Sequence, residues 1–197
     1  MTNHRAVFID KDGTLIRDVP YNVDPALIEL QPFAGESLKA MKDSGYQLIV
    51  VSNQSGVAKG YFPESALQGV QSRIRHLLDD YKVSLDGFYY CPHHPAGILQ
   101  EYGITCACRK PQPGMILEAS RDYGIDLRRS WMIGDILDDI EAGNAAGCTT
   151  ILLDNGNETE FKWSEQRKPA FTVSNLREAA DIIVNKEIHG TAALASH

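Results

Sequence analysis

The stretch VFIDKDGTLI, residues 7–16, decides how the rest of the chain is read. Val7, Phe8 and Ile9 run into Asp10, Lys11, Asp12, Gly13 and Thr14. An unbroken apolar run suits a strand buried on both faces, and this one ends in two carboxylates one residue apart. Buried carboxylates are costly unless a cation accompanies them, so the mouth of this strand calls for chemistry.

Outward from that strand (6–10), short β-branched runs alternate with amphipathic stretches. Strands are predicted at 46–53, 86–91, 130–135, 148–153 and 170–173, and helices at 32–45, 63–81, 113–124, 136–146 and 174–186. Near-continuous apolar strands joined by helices imply an α/β protein with a parallel sheet covered on both faces. Residues 1–189 read as one domain, 154–169 as a polar loop, and 190–197 as a flexible tail. In such a sheet ligands bind beyond the carboxyl ends of the strands, where the strand order reverses. The first strand ends in Asp10, the second in SNQSG (52–56) and the fourth in GDILDD (134–139), so one site is expected there.

A net charge of −7 disfavours a nucleic-acid surface, and no segment has the roughly 18 consecutive apolar residues of a membrane span. The opening MTNHRAVFID enters a strand almost at once, which leads us to expect a cytoplasmic protein.

Phosphoryl transfer needs a nucleophile, a cation to screen the oxygens, and donors around the phosphate. Asp10 can supply the nucleophile, and Asp12, placed where Gly13 turns the chain, a general acid and base. Asp135 adds a carboxylate, and such a hard oxygen set suits Mg²⁺. Ser52 and Asn53 offer donors beside Gly56, Lys110 a point charge, and Arg109 a fork for a second phosphate or for sugar hydroxyls. Taken singly, Asp10-x-Asp12-Gly13 could be a capped turn, Gly134-Asp135 a helix cap and SNQSG a turn. Their joint occurrence favours the site.

A second cluster lies in CPHHP (91–95) and CAC (106–108). Three thiolates and one imidazole complete a closed tetrahedral Zn²⁺ site of structural type, with His93 or His94 as the imidazole. The cluster leads directly into Arg109 and Lys110, so zinc would pin the loop that carries both cations. Free thiols or a Cys106–Cys108 disulfide are the alternatives. Cys148, at the start of an apolar strand, reads as a small buried residue.

DKDGTL, VVSNQSGVAKG, CRKPQPGM and GDILDDIEAG resemble, in order and spacing, the four signatures of the haloacid-dehalogenase-like phosphatases. Within that superfamily the chain is similar, from Val7 to Leu153, to the group that removes the 7-phosphate of a heptose 1,7-bisphosphate. The resemblance implies a Rossmann-like three-layer doubly wound parallel sheet with no large cap domain and a zinc-stapled loop. It implies Asp10 as nucleophile forming an aspartyl phosphate, Asp12 as acid and base, and Mg²⁺ on Asp10, Asp135 and the backbone carbonyl of Asp12. Ser52 and Lys110 would stabilise the transferred group, and Arg109 would recognise substrate. Asp18, Val19, Pro20 and Tyr21, with Ser52, Asn53, Gln54 and Ser55, match the group's substrate contacts, and zinc falls on Cys91, His93, Cys106 and Cys108. One departure stands out: Ile136 replaces a lysine that often follows the metal aspartate and touches substrate. Asp139 is expected to support the metal waters or the lysine.

The implied substrate is a small phosphorylated sugar, handled by a monomer, leaving the 1-phosphate for nucleotide activation. Histidinol-phosphate phosphatases share the signatures, but usually with a much shorter zinc loop than HPAGILQEYGIT. Polynucleotide 3′-phosphatases lack that loop, and a pI near 5.3 suits DNA ends poorly. A receiver-like signalling domain would keep its phospho-aspartate, whereas Asp12 would hasten its hydrolysis. A zinc-stapled interaction module with a vestigial site is disfavoured, because every catalytic position is occupied.

Overall fold

A computed structural model describes residues 4–158 and 162–194. Six strands form one sheet: β1 (Ala6–Ile9), β2 (Gln47–Asn53), β3 (Gly87–Cys91), β4 (Trp131–Gly134), β5 (Thr149–Leu153) and β6 (Phe171–Val173). They lie in the order β3-β2-β1-β4-β5-β6, and every neighbouring pair is parallel. The chain builds outward from β1 through β2 to β3, then crosses to the other side of β1 for β4. The order therefore reverses between β1 and β4, opening a crevice at their carboxyl ends.

The helices are α1 (Ala34–Asp43), α2 (Ala66–Asp79), α3 (Gly114–Tyr123), α4 (Leu137–Ala146) and α5 (Leu176–Leu194). Alternate residues of β1 feed two cores, because successive side chains of a strand point to opposite faces. Val7 and Ile9 join Leu38 of α1, Ile74 of α2 and Ile183 of α5 on one face. Ala6 and Phe8 join Met115 and Ile116 of α3 and Ala142 of α4 on the other. All four β1 residues are fully buried, as an uninterrupted apolar run requires.

The sheet, its parallel sense and all eleven elements match the sequence reading, with differences at element ends. The second helix starts at Ala66 rather than Pro63, because residues 63–66 first close a turn, with Ala66 N donating to Pro63 O. The last helix runs on to Leu194, so the tail expected at 190–197 is helical through Leu194, and 195–197 lie outside the described residues. Its Ala-rich end favours helix despite Gly190. Two long connections rise from the carboxyl edge, residues 10–33 between β1 and α1 and 92–113 between β3 and α3. No cap domain stands over them among the described residues.

Phe8 sits at 0 % exposure in the central strand. Phe8→Ala should lower unfolding free energy by about 3–5 kcal/mol, read as a fall in the urea midpoint at unchanged slope.

Candidate active site

The β1–β4 register sets the site. Ile9 pairs with Ile133, and Asp10 N donates to Ile133 O at 2.9 Å, so Asp10 and Asp135 leave neighbouring strands side by side. Asp10, Asp135 and Asp139 bring carboxylate oxygens within 4.8 Å of one another, and all three are buried. Glycine is needed twice in this packing. Gly13 holds φ +83°, and a Cβ there would lie 2.0 Å from Asp135 Oδ2. A Cβ on Gly134 would lie 2.2 Å from the Asp139 side chain.

The Lys110 ammonium enters this acid cluster. It forms an ion pair and hydrogen bond with Asp10, donates to Val51 O at 2.9 Å, and lies 2.6 Å from Asp139 Oδ1. The Asp139 contact is an ion pair without hydrogen-bond alignment. Asp139 Oδ2 instead accepts from the Ile136 N–H at 3.3 Å. Of the two supporting roles expected for Asp139, the one toward the lysine is the one seen.

Burial pushes the Asp10 carboxyl up to about 7; Lys110 pulls it down, while Asp139 and Asp12 push it further up. Burial also lifts Asp135 to about 7, helped by the charge of Asp10 and opposed by its bonds to Asn157 and Thr14. Asp139 rises to about 6, again through burial, with Lys110 opposing. Burial alone would lower Lys110, but Asp10 and Asp139 outweigh it and hold the ammonium protonated. Three buried acids against one ammonium leave excess negative charge, and the donors are all oxygen. Such a set fits a hard divalent cation.

Asp12 stands apart from this cluster. Its Oδ1 lies 2.9 Å from Lys11 Nζ, and its Oδ2 accepts from Gln54 Nε2 at 3.0 Å. Asp12 nonetheless lines both the cavity and the recess that reaches Asp10 and Asp135. The cavity, about 430 Å³, is lined by Lys11, Asp12, Tyr21, Gln54, Arg109 and Ile136 among others. An adjoining recess of about 220 Å³ reaches Asp10, Lys110, Asp135 and Asn157.

The expected contacts divide. Asp18, Pro20, Tyr21, Asn53, Gln54, Ser55 and Arg109 all line the cavity. Val19 points instead toward Ile16 and Leu27, as the residue between two inward-facing neighbours in an extended segment does. Ser52 lies beneath the cavity, its Oγ accepting from Gln54 Nε2 at 2.8 Å. Asn53 clamps the backbone of Lys110, its Oδ1 accepting from Lys110 N and its Nδ2 donating to Lys110 O, both at 3.0 Å. Tyr21 adopts φ +56°, stacks edge-on against Tyr61 at 4.7 Å, and accepts from Lys59 Nζ at 2.7 Å. Asp18 rises above the ordinary carboxyl range through burial and the nearby charge of Asp12.

The second cluster forms as the sequence spacing suggested. Cys91 Sγ lies 3.4 Å from Cys106 Sγ and 2.9 Å from Cys108 Sγ, and the latter two are 3.2 Å apart. His93 Nδ1 is 3.6 Å from Cys91 Sγ and 3.4 Å from Cys108 Sγ. A tetrahedral zinc site has S···S edges of roughly 3.8 Å and S···N edges of roughly 3.5 Å, so the two His93 contacts are of that size and the three sulfurs lie closer together. The cysteines are free, so no Cys106–Cys108 disulfide forms. His93 rather than His94 completes the set, because the Nδ1 of His94 accepts from Ala96 N at 3.1 Å. Burial pushes the Cys91 thiol well above its ordinary range, which a bound cation would reverse. Arg109 donates to His93 O at 3.3 Å, tying it to the cluster, and Cys148 is buried as expected.

Sequence reading missed the strap after β5. Asn155 Nδ2 donates to Gly13 O at 2.7 Å, Asn157 Nδ2 to Asp135 Oδ2 at 2.7 Å, and Glu158 accepts from Leu137 N at 2.7 Å. An Asn-Gly-Asn run signals a turn but not its target.

Residues 107–179 match the HAD-hydrolase-like family model. The chain is 45 % identical over 150 residues to the D-glycero-beta-D-manno-heptose-1,7-bisphosphate 7-phosphatase of Haemophilus ducreyi, covering 76 % of this chain and 82 % of that protein. It is 39 % identical over 181 residues to the protein of the same name from Photorhabdus laumondii, covering 91 % and 89 %. The crystal structure of D,D-heptose 1,7-bisphosphate phosphatase from B. bronchiseptica, complexed with magnesium and phosphate, superposes with a TM-score of 0.76 at 25 % identity, covering 92 % of this chain and 99 % of that one. With its four signatures converging on one crevice, the chain belongs to the D-glycero-beta-D-manno-heptose-1,7-bisphosphate 7-phosphatase family of haloacid-dehalogenase-like hydrolases.

Proposed function

We propose that this phosphoric monoester hydrolase removes the 7-phosphate of D-glycero-D-manno-heptose 1,7-bisphosphate through a phosphorylated Asp10. The observation that carries the reading is the buried juxtaposition of Asp10, Asp135 and Lys110 in a chain this similar to enzymes of that name. The reacting phosphate enters the small recess and the sugar occupies the larger cavity.

An Asp10 oxygen forms a bond to phosphorus as the bond between phosphorus and the sugar oxygen breaks. Asp12 gives its proton to the departing oxygen, releasing heptose 1-phosphate. A water then attacks the acyl phosphate, Asp12 takes the water proton, and Asp10 departs as carboxylate with inorganic phosphate set free. Lys110 favours the ionised form of Asp10 and places positive charge beside the transferring oxygens. Mg²⁺, held by Asp10, Asp135 and the Asp12 carbonyl, would screen phosphate charge. Lys11 and Gln54 orient the Asp12 carboxyl toward the cavity.

Cys91, His93, Cys106 and Cys108 would hold zinc, which would fix the loop from which Arg109 and Lys110 project. The reading takes the enzyme as a monomer, since each group it invokes is supplied by this one chain. No helix among the described residues is long and apolar enough to cross a membrane. A reducing cytoplasm, where such thiolates persist, is the proposed location. The net charge of −7 argues against nucleic-acid partners.

Phosphate release should be measured across both anomers of heptose 1,7-bisphosphate, histidinol phosphate and fructose 1,6-bisphosphate. The reading expects a heptose bisphosphate to give the highest kcat/KM; preference for histidinol phosphate would reassign the substrate. Asp10→Asn should abolish turnover while circular dichroism and zinc content stay unchanged. Cys106→Ser should strip zinc, seen by elemental analysis, and lower kcat by about 10-fold or more as Lys110 loses its fixed position.

A further inference from the structure

The segment from Asp154 to Glu158 leaves β5 and folds back over the mouth of the crevice rather than away from it. Its turn is internally braced: Gly156 holds φ +86°, and Asn155 Oδ1 accepts from Asn157 N at 3.1 Å. Three side chains then reach three separate parts of the site. Asn155 holds the carbonyl of Gly13 in the loop after β1, and Glu158 caps the first turn of α4 at Leu137 N. Between them Asn157 donates to Asp135 Oδ2 and lines the same recess as Asp10 and Lys110.

Asp135 is therefore gripped from both sides. Thr14 Oγ1 donates to its Oδ1 at 3.1 Å and Asn157 Nδ2 to its Oδ2 at 2.7 Å. Each carboxylate oxygen accepts about two hydrogen bonds, so one donor apiece leaves a lone pair on each oxygen for a cation. The two donors fix the rotation of the carboxyl plane, and both favour its ionised form against burial. An amide suits this place: it supplies a donor without adding a fourth acid to a cluster already rich in them. Glu158, the acidic member of the strap, is directed at a helix N-terminus, where its charge is favourable.

We propose that Asn157 is a positioning residue that presents Asp135 to the magnesium ion, with Asn155 anchoring the strap that carries it. The inference rests on the assignment of Asp135 to the cation made above.

The test is a magnesium titration of the full chain without substrate, in which the rise in Tm reports binding. Asn157→Ala removes one hydrogen bond to a buried carboxylate, so each variant's Tm in magnesium-free buffer serves as its own baseline. The substitution should raise the midpoint, taken as the magnesium concentration that gives a fixed chosen rise in Tm, by about 10- to 100-fold, with kcat recovering to within about twofold of the parent at saturating magnesium. Asn155→Ala, which unties the strap but leaves the Asn157 amide, should move the midpoint in the same direction by less. An unchanged midpoint in Asn157→Ala overturns the proposal, as does a lost kcat that magnesium fails to restore. Asp135→Asn separates the two readings: it should abolish the magnesium-dependent shift. If that variant keeps the full shift, the parent assignment is wrong and the inference falls with it.

Discussion

A buried ammonium among buried acids is the constraint on which the rest of this structure depends. Lys110 is 3 % exposed and lies between Asp10 and Asp139, the first of them 100 residues away in sequence. Each partner makes the other tolerable: the acids hold the lysine charged, and the lysine offsets part of their mutual repulsion. Buried pairs of this kind add little net stability, yet losing one member typically costs 3–5 kcal/mol. Their contribution lies in specifying one arrangement. The sheet supplies the fixed side of it, because the β1–β4 register puts Asp10 beside Asp135 without any loop intervening.

The lysine, by contrast, comes from a connection of 22 residues, 92–113, which has no long element of its own to hold it. Two devices replace a helix or strand there. The Cys91–His93–Cys106–Cys108 cluster closes the loop on the end of β3, and Arg109 and Lys110 follow its last ligand directly. The Asn53 amide then grips the Lys110 backbone on both its N–H and its carbonyl. The outer half of the loop rests on the turn after β2, with Ile98 N and Leu99 N both bonded to Ala58 O. The Cys-His cluster at the end of β3 thus sets where the charge of Lys110 can stand.

How much of this was readable from residues alone follows from the range of each interaction. Strand ends were legible because apolar runs stop abruptly at Asp10, Ser52 and Asp135, and a parallel sheet places such ends on one edge. The zinc set was legible as spacing, but His93 and His94 are equivalent by spacing. Their backbone decided between them, since His94 turns back to bond Ala96 N. Asn53 read as a donor to phosphate because strand-end polar residues in this fold face ligand. Asn53 does line the cavity, but its amide also holds the Lys110 backbone 57 residues on, and periodicity carries no information at that distance. The same holds for Asn155, whose bond to Gly13 spans 142 residues. Local chemistry announces that a polar group needs a partner; only the packed fold says which.

No cap domain stands over the crevice among the described residues, and the walls of the two chambers are built from the loops at the carboxyl edge of the sheet. The small recess holds Asp10, Lys110 and Asp135, while the larger cavity carries Arg109, Lys11 and the ring of Tyr21. The two chambers share Asp12, Asp18, Asn53 and Ile136, so the junction between them carries acidic and apolar surface and no cation. A bisphosphate spanning the chambers would find positive charge at its two ends and none at its waist. The Tyr21 ring, held by Tyr61 and Lys59 in a backbone conformation that non-glycine residues seldom adopt, supplies a flat apolar face on that path. On the proposed reading such walls would discriminate by the separation of the two phosphates more than by the stereochemistry of each hydroxyl. An extended sugar phosphorylated at both ends would meet that requirement, whereas a compact monophosphate would leave Arg109 with only its bond to His93 O.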